Sequence, residues 1–287
     1  MAIVATGFFD GVHIGHRMVV ETLVSEARKR GEESLVLTFW PHPRLVLGQD
    51  ALGLRLLNTP AEKMSLLSGL GVDRVVQLDF TEEFSLMGTE QYLREVVKDK
   101  FGGTAILLGY DNRIGHDSLT PAQTAQTARA LGLDVIRADK VSSVGIAVSS
   151  TKIRTALKAG DVETANSYLC YDYSLSGTVV HGKKLGRTIG FPTANMELEE
   201  PLKLIPAEGV YLSRVEVEGG RFFGMTNVGD NLETHIFDFD RDIYGKSIKV
   251  SFMKHVRDEM AFPSLEELKM QLHIDEDNCK KLLYLHK

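Results

Sequence analysis

The chain has 287 residues, 43% of them hydrophobic and 25% charged, and its formal net charge is −6. This composition is typical of a globular protein with one large or two ordinary domains, and its acidic balance argues against nonspecific nucleic-acid binding as the main role. No apolar run is long enough to span a bilayer, no signal peptide is apparent, and two cysteines indicate no disulfide framework. We therefore expect a cytoplasmic protein that works without nucleic acid or membrane; the sequence leaves the oligomeric state open.

The first half of the chain alternates short apolar runs with amphipathic segments. The apolar runs are rich in Val, Ile and Leu, as is typical of buried parallel strands, and the segments between them carry apolar residues at helical spacing. The predicted strands are Ile3–Thr6, Ser34–Phe39, Arg74–Leu78, Ala105–Leu108 and Asp134–Ala138, and the predicted helices are Arg17–Arg28, Pro60–Leu70, Thr89–Phe101 and Pro121–Leu131. This order predicts a doubly wound, Rossmann-like parallel sheet that binds ligands at the carboxyl ends of its strands.

The loop after the first strand is the most informative part of the sequence. It consists of Gly7, Phe8, Phe9, Asp10, Gly11, Val12, His13, Ile14, Gly15 and His16. A helix that starts after such a loop suits phosphate, because its first N–H groups are unpaired and its dipole favours anions there. His13 and His16 share one face if the first turn is helical, and two imidazoles beside a phosphate can donate hydrogen bonds and neutralise charge. The alternative is a glycine-rich turn with two surface histidines.

Three further segments of this half carry candidate binding residues. Phe39, Pro41 and His42 belong to a loop after the second strand that two prolines stiffen, and Asp111 and Asn112 follow the fourth strand. Ser149, Ser150, Thr151 and Arg154 lie at a predicted helix start. Hydroxyl and N–H groups there suit triphosphate oxygens, and an arginine can bind two oxygens at once. The same serine-threonine string is also an ordinary helix N-cap.

From about Tyr173 onward, strand-like runs follow each other directly. They are Ser174–Val180, Val210–Val217, Arg221–Thr226, Leu232–Asp238 and Ser247–Phe252, with a helical tail after them. Successive strands with one terminal helix predict a small antiparallel β-barrel. We place the boundary near 168, which gives a first domain of residues 1–168 and a second of residues 169–287.

Two strings of the second half carry residues that suit phosphate groups, a metal ion and a proton acceptor. The segment Gly177–Asn195 contains Gly182, Gly186, Lys183 and Arg187, which combine a flexible backbone with positive charge. Thr193 and Asn195 near its end supply hard oxygen ligands that suit Mg²⁺. Strand alternation puts Glu233 on one face with His235 and Phe237, where a carboxylate can act as a base. A basic surface hairpin and a solvent-facing acid are the plainer interpretations.

Together these strings resemble the bacterial bifunctional riboflavin kinase/FAD synthetase family. The ten-residue loop, the FxPHP string, the Gly109–Gly115 segment and the Ser149–Arg154 string are similar to its nucleotidyltransferase half, and the Gly177–Asn195 string and the Glu233 strand to its kinase half. The resemblance implies phosphorylation of riboflavin to FMN with Mg²⁺ and ATP, followed by transfer of AMP to FMN, which gives FAD and pyrophosphate.

The resemblance also implies roles for individual residues. The catalytic set is Glu233, His13, His16 and Arg154. The nucleotide- and phosphate-binding set is Gly7, Phe8, Phe9, Asp10, Gly11, Gly15, Asp111, Ser149, Ser150, Thr151, Gly182, Lys183, Gly186 and Arg187. The flavin-binding set is Phe39, Pro41, His42, Asn112 and Arg257, and the metal ligands are Thr193 and Asn195.

One departure from the family pattern concerns the kinase half. Relatives carry a longer flap with an Arg-Pro-Thr string before the glutamate strand, whereas here Asn227–Asp230 leads directly to Glu233. We interpret the gap as the position of a missing mobile loop rather than a true deletion. The alternatives for the whole chain are an enzyme that keeps only one of the two activities and a flavin-binding protein without catalysis.

Overall fold

The computed structural model describes residues 1–48, 53–109, 114–138, 148–182 and 185–285, and it divides into two compact units, Met1–Ser150 and Thr151–Lys287. The predicted site residues Asp111, Asn112 and Lys183 lie outside the described residues. The second unit therefore begins before the boundary near 168 that we expect between functional domains, and that boundary stays a prediction.

A five-stranded parallel sheet forms the centre of the first unit, as predicted. Its strands are β1 (Ala2–Thr6), β2 (Glu33–Trp40), β3 (Arg74–Asp79), β4 (Gly103–Leu108) and β5 (Asp134–Arg137), in the order β3-β2-β1-β4-β5. Alternate residues of β1 enter two separate hydrophobic clusters, with Val4 in one and Ile3 in the other. Both faces of β1 are therefore buried, which explains its uninterrupted apolar run.

Helices connect these strands and cover the sheet. They are α1 (Ile14–Arg30), α2 (Pro43–Val46), α3 (Pro60–Ser68), α4 (Glu82–Ser85), α5 (Thr89–Gln91, continuing as a π-helix over Tyr92–Lys100) and α6 (Pro121–Ala130). α1 packs Val20, Leu23 and Val24 into the core and ends at Gly31, whose φ of 66° is the left-handed conformation that favours glycine.

The order of the strands determines where a ligand can bind in this unit. The chain leaves β1 toward β2 on one side, while β4 pairs with β1 on the other. Connections that leave neighbouring parallel strands in opposite directions open a crevice at the carboxyl ends of those strands. The loop Gly7–His16 lies at this position because it directly follows β1.

The second unit is built around a closed six-stranded barrel, as the strand-like runs predicted. Its elements are α7 (Ser150–Lys158, which starts at the last residue of the first unit), α8 (Val162–Leu169), β6 (Ser174–Val180), α9 (Leu185–Thr188), β7 (Ala194–Leu198), β8 (Gly209–Val217), β9 (Gly220–Val228), β10 (Leu232–Ile236), β11 (Ser247–Arg257) and α10 (Leu265–Leu285). The strand order is β10-β7-β6-β11-β8-β9, and every pairing is antiparallel. β7 was not among the predicted strands.

Two tight turns set the register of this barrel. Glu218 and Gly219 join β8 to β9 with φ values of 49° and 74°, as a two-residue hairpin turn requires. β9 and β10 are paired up to Val228 and Leu232, and the N–H of Gly229 donates to the carbonyl of Asn231 at 3.2 Å. The connection that is short relative to the family pattern is thus a closed turn, and its interpretation as the position of a missing loop stays a prediction.

A buried ion pair attaches α10 to the barrel. Nε and Nη2 of Arg257 on β11 donate to the carboxylate of Asp275 at 2.8–3.1 Å, and Nη1 donates to the carbonyl of Asp258 at 2.8 Å. The side chain of Asp275 is only 1% exposed. All three nitrogens of the Arg257 guanidinium therefore have protein partners, which supports a structural role for this residue; the flavin contact that the sequence implied stays a prediction.

We predict that Asp275→Asn destabilises the second unit by about 3 kcal/mol, because the substitution leaves the largely buried Arg257 charge without its counter-charge. Urea unfolding monitored by far-UV circular dichroism measures this change. The only tryptophan, Trp40, lies in the first unit, so its fluorescence reports that unit separately. Asp277→Asn, at an exposed position of the same helix, is the control. Equal stability of the two variants would contradict a structural role for the pair.

Candidate active sites

The loop Gly7–His16 has the geometry that its sequence predicted. His13 is the N-cap residue of α1, and its Nδ1 accepts the N–H of His16 at 3.4 Å. The two imidazole rings stack with centroids 3.7 Å apart and an interplanar angle of 15°, so they do share one face. A Cβ on Gly15 would lie 3.3 Å from the His13 ring. Glycine at this position therefore lets the ring lie against the first helical turn.

Asp10 fixes this loop to two other segments. Its carboxylate accepts the backbone N–H groups of Leu57 and Asn58 at 3.0–3.3 Å, and its backbone carbonyl accepts the hydroxyl of Ser150 at 2.9 Å. Asp10 itself is buried. The structure thus brings Ser150 next to the loop, although 140 residues separate them along the chain. Asp10 serves here as a structural link, and the phosphate contact implied for it stays a prediction.

Burial determines the charge state of His16. Desolvation, assisted by the neighbouring His13 and Lys63, holds the pKa of His16 well below its usual value of 6.5. Its Nδ1 is inaccessible to solvent and has no hydrogen-bond partner within the described part of the chain. A buried polar atom without a partner is costly unless a ligand completes it. His16 is therefore a neutral imidazole with an unused ring nitrogen at the helix N-terminus.

Lys63 is a site residue that the sequence did not reveal. It lies in the first turn of α3, is only 2% exposed, and donates from Nζ to the carbonyl oxygen of Phe39 at 3.2 Å. Nζ also lies 3.9 Å from the centroid of the Phe8 ring. Burial lowers the pKa of Lys63 from 10.5 to about 8, although nearby Asp10 opposes the shift. Lys63 follows Glu62 in a predicted amphipathic helix, and the sequence gives no signal that its side chain is buried.

The first unit contains a cavity of 580 Å³ next to the loop. A cavity of this volume can hold a large planar ligand. Four aromatic side chains and the start of the loop contribute to its wall, which includes Gly7, Phe8, Phe39, Phe80, Phe84, Met87, Tyr92 and His116. Phe39, Phe80 and Phe84 contact one another with centroids 5.6–6.0 Å apart. The sequence identified Phe8 and Phe39 but not Phe80, Phe84 and Tyr92, which lie just after β3, in α4 and in the π-helix.

His42 joins the prolines of its loop to this cavity wall. The Trp40–Pro41 peptide is cis, and Nδ1 of His42 caps α2 by accepting the N–H of Arg44 at 3.1 Å. The His42 ring lies edge-on to Phe8 with centroids 4.1 Å apart. The structure thus places His42 beside the loop residues, as a rigid neighbour of Phe8.

The second unit contains the other set of predicted residues. Asn195 on β7 pairs in register with Glu233 on β10, and Glu233 pairs with Asn227 on β9. Register partners in an antiparallel sheet point to the same face with Cβ atoms about 5 Å apart. Glu233 is half-buried and stands between two asparagines. Leu232, Thr234 and Ile236 are buried on the opposite face, as the predicted alternation requires within β10. The alternation ends at Ile236: Phe237 is buried, and Asp238, predicted as part of the strand, is exposed with a φ of 54°.

Two glycines make room beside the predicted metal ligands. A Cβ on Gly182 would lie 2.4–2.6 Å from the side-chain amide of Asn195, and a Cβ on Gly186 would lie 2.2 Å from the carbonyl of Phe191 and 3.5 Å from the Thr193 hydroxyl. Any other residue would collide there. Gly182 therefore lies directly against Asn195, and Gly186 lies close to Phe191 and Thr193.

The second unit also contains a cavity of 560 Å³. Thr193 and Arg187 lie on its wall together with Val179, Thr234, Ile236, Phe239, Asp242 and Tyr244. Thr193 lines this cavity, while Asn195, two residues further along, faces Glu233. Thr234 and Ile236 of the cavity wall lie on the opposite face of β10 from Glu233.

Asn227 and Glu259 border this face and were not among the predicted site residues. Glu259 accepts a hydrogen bond from the Asn227 side chain, and burial raises the pKa of the Glu259 carboxyl. The sequence indicated Asn227 only as the first residue of the short connection between β9 and β10. Its register with Glu233 is a property of strand pairing, which the sequence alone does not specify.

The remaining predicted residues lie on α7 and at its start. The helix begins at Ser150, preceded by Ser149, so both serines lie in the first unit, while Thr151 and Arg154 belong to the second. Arg154 lies one turn into the helix. The nucleotide contacts that the sequence implied for these residues stay predictions.

Comparisons with known proteins divide the chain in the same two parts. A family model described as FAD synthetase matches residues 1–152, and one described as riboflavin kinase matches residues 169–283. A bifunctional riboflavin kinase/FMN adenylyltransferase of Listeria monocytogenes is 34% identical, with 97% of this chain and 91% of the relative covered. The protein of the same description from Escherichia coli K12 is 33% identical, with 99% and 94% covered.

A crystal structure from Streptococcus pneumoniae has a similar fold. It is described as a macrolide-efflux protein, and it matches with a TM-score of 0.89 and 31% identity over 97% of this chain and 94% of its own. In the described part of the present chain, no helix has the length and apolarity needed to cross a membrane.

We predict that the first unit loses stability as the pH falls below 6.5. His16 has a lowered pKa in the folded state, so the unfolded chain binds a proton first, and folding stability contributed by the neutral ring disappears with acidification. Urea unfolding monitored by Trp40 fluorescence between pH 7.5 and 5 measures the slope. His16→Gln removes the titrating group and therefore flattens the dependence of stability on pH. His273→Gln, at an exposed position of α10, leaves this dependence unchanged. Identical slopes in all three proteins would contradict the neutral state of His16.

Proposed function

We propose an assignment of two reactions to the two sites of this chain, which belongs to the bifunctional riboflavin kinase/FMN adenylyltransferase family. The chain is an enzyme of flavin cofactor synthesis: it phosphorylates riboflavin to FMN with ATP, and it adenylylates FMN with ATP to give FAD and pyrophosphate. We assign the first reaction to the barrel and the second to the parallel-sheet unit, with a functional boundary near residue 168.

The observation that carries this assignment is the aromatic cavity beside the phosphate-type loop of the first unit. Gly7 and Phe8 belong to both features. An enzyme that transfers AMP to a flavin phosphate has to bind a large planar ring and two phosphorylated groups next to each other. We infer that the flavin ring of FMN occupies the cavity, in contact with Phe39, Phe80 and Phe84, and that its phosphate points toward the loop.

In the adenylyl transfer, the FMN phosphate is already a nucleophile, so positioning and charge stabilisation account for catalysis. We assign His13 and His16 to the α-phosphate of ATP, where the free Nδ1 of His16 and the N-terminus of α1 can stabilise charge. Ser150, Thr151 and Arg154 bind the β- and γ-phosphates. The hydrogen bond from Ser150 to Asp10 supports the proximity of Ser150 to the loop.

In the kinase reaction, the nucleophile is the 5′-hydroxyl of the ribityl chain, which has to lose a proton. We assign Glu233 as the base that accepts this proton as the hydroxyl attacks the γ-phosphorus. Its half-buried position between Asn195 and Asn227 supports this role. The cavity lined by Thr193 and Tyr244 is the proposed site of the adenine nucleotide.

We propose Mg²⁺ as the metal of the kinase site. The hydroxyl of Thr193 and the amide oxygen of Asn195 are hard ligands, and the glycine backbone packed over them fits phosphate oxygens that share the ion. Bound there, Mg²⁺ would neutralise charge on the phosphates of ATP. We also infer a cytoplasmic location, since ATP is the co-substrate and Cys170 and Cys279 are both unpaired.

Product analysis with two variants tests the assignment. Riboflavin, ATP and Mg²⁺ are incubated with the purified full chain, and the flavins are separated by chromatography; we expect FMN and FAD. Glu233→Gln lowers FMN formation by about 100-fold or more, because the base is lost, and leaves conversion of FMN to FAD intact. His16→Ala gives the reverse pattern, with FAD formation lowered about 100-fold.

The control for the first variant is Glu197→Gln, which removes a carboxylate from an exposed position of β7. Equal loss of both reactions in either site variant would contradict two separate sites. Formation of FAD from FMN, but no FMN from riboflavin in the unmodified protein, would show that the short β9–β10 connection has cost the chain its kinase activity.

We predict that Phe84→Ala raises the KM for FMN in FAD formation about tenfold, because aromatic contact with the flavin ring contributes roughly 1 kcal/mol beyond buried area. Steady-state pyrophosphate release with added FMN measures it. Phe101→Ala is the control, since Phe101 is partly buried against the same core but lies outside the cavity. A KM that changes equally in both variants would indicate general destabilisation rather than a flavin contact.

A further inference from the structure

We propose that Lys63 is a positioning residue of the adenylyl-transfer site, whose ammonium group holds the Phe8 and Phe39 walls of the flavin cavity in their binding geometry. This inference deepens the proposed function and rests on it. It concerns a residue that belongs to none of the motifs of the sequence and does not itself line the cavity.

The first step of the argument is the position of the ammonium group. Lys63 enters from α3, and Nζ donates to the carbonyl oxygen of Phe39 at the end of β2. The other side of Nζ lies 3.9 Å from the ring centroid of Phe8, which belongs to the loop after β1. One cation therefore connects the backbone of one cavity residue with the ring of another, and these residues come from neighbouring strands.

The second step is the cost of this arrangement. Lys63 is almost fully buried, and no carboxylate oxygen lies within 4.0 Å of Nζ among the residues that the structure describes. A buried ammonium with one hydrogen bond and no close counter-ion is unfavourable relative to a hydrophobic side chain of similar size. If Lys63 served only to fill space, methionine would fill it better. The charge of Lys63 is therefore explained by the two groups that its ammonium contacts, the carbonyl of Phe39 and the ring of Phe8.

The third step is the effect on Phe8. A cation over an aromatic face is attracted by the ring quadrupole, and the attraction is stronger when the pair is shielded from water. His42 contacts the same ring edge-on with centroids 4.1 Å apart, so Phe8 has both a cation and an imidazole as neighbours. Two such contacts restrict the orientation that the ring presents to the cavity. Loss of the ammonium would free Phe8 and the end of β2 to move.

The charged and titratable groups around Lys63 predict when this contact is present. Asp10 from the loop favours the charged ammonium, His16 from α1 lies close enough to interact with it, and His42 contacts the same Phe8 ring. His16 is neutral above pH 7, because its pKa lies well below 6.5. The second ionisation of a phosphate group, with a pKa of about 6, is nearly complete there. Lys63, with a pKa of about 8, is the group whose charge changes between pH 7 and 9.

The test compares Lys63→Met with the unmodified full chain. We expect the KM for FMN in FAD formation to rise about tenfold with a smaller change in kcat, because the cavity wall loses its orientation while the phosphate loop stays in place. Riboflavin phosphorylation by the same preparation is the internal control and stays unchanged. Lys98→Met is the matched control, because Lys98 also donates to a backbone carbonyl, that of Leu131, but from an exposed position.

A second measurement needs no variant. In the unmodified protein the KM for FMN should rise as the pH increases from 7 through about 8 to 9, since Lys63 loses its proton and with it the cation–ring contact. Lys63→Met should show a high KM without this rise. Lys63→Arg, which keeps the charge, should retain the lower KM at pH 9.

The outcomes separate this inference from the function on which it rests. An unmodified chain that makes no FAD would contradict the proposed function. A chain that makes FAD, but whose KM for FMN is unaffected by Lys63→Met and by pH between 7 and 9, would overturn the role of Lys63 alone. An equal loss of kcat and binding in Lys63→Met, with no pH-dependent KM in the unmodified protein, would also overturn it.

Discussion

The side chain of Asp10 is the contact on which the geometry of the first site depends. A buried carboxylate needs several donors, and Asp10 finds them in the backbone N–H groups of Leu57 and Asn58, while its own carbonyl accepts the hydroxyl of Ser150. The loop after β1, the segment before α3 and the start of α7 are thereby fixed to one residue. Because α3 carries Lys63, the same residue also sets the position from which the ammonium reaches Phe8.

The second site is fixed by strand register rather than by a side-chain hub. Asn195, Glu233 and Asn227 face the same side because β7, β10 and β9 pair in that order, and a shift of one residue would turn Glu233 into the barrel. The glycine segment then closes over Asn195, since only glycine avoids a collision at position 182. The carboxylate and the metal ligands therefore depend on the closed barrel, whose formation orders all of them together.

The sequence predicted both sheets and most of the elements, because alternating apolar runs and glycine turns determine them locally. β7 escaped prediction because it is only five residues long and starts at the end of the glycine-rich string. Its strand character arises when β6 and β10 pair with it. Lys63, Phe80 and Phe84 escaped for a similar reason. Each lies in an ordinary amphipathic context, and only the parallel order of β1, β2 and β3 brings them to the loop.

The different chemistry of the two nucleophiles explains why the sites differ in charge. A hydroxyl has to lose its proton as it attacks, so the barrel site needs a base, and Glu233 is the proposed one. A flavin phosphate carries its negative charge already, and a carboxylate beside it would repel it. The first site accordingly has the neutral imidazole of His16, a helix N-terminus and a buried ammonium, while its buried carboxylate, Asp10, is engaged by backbone N–H groups. On this argument, the chain separates the two reactions because a single site could not offer a base to one substrate and exclude negative charge from the other.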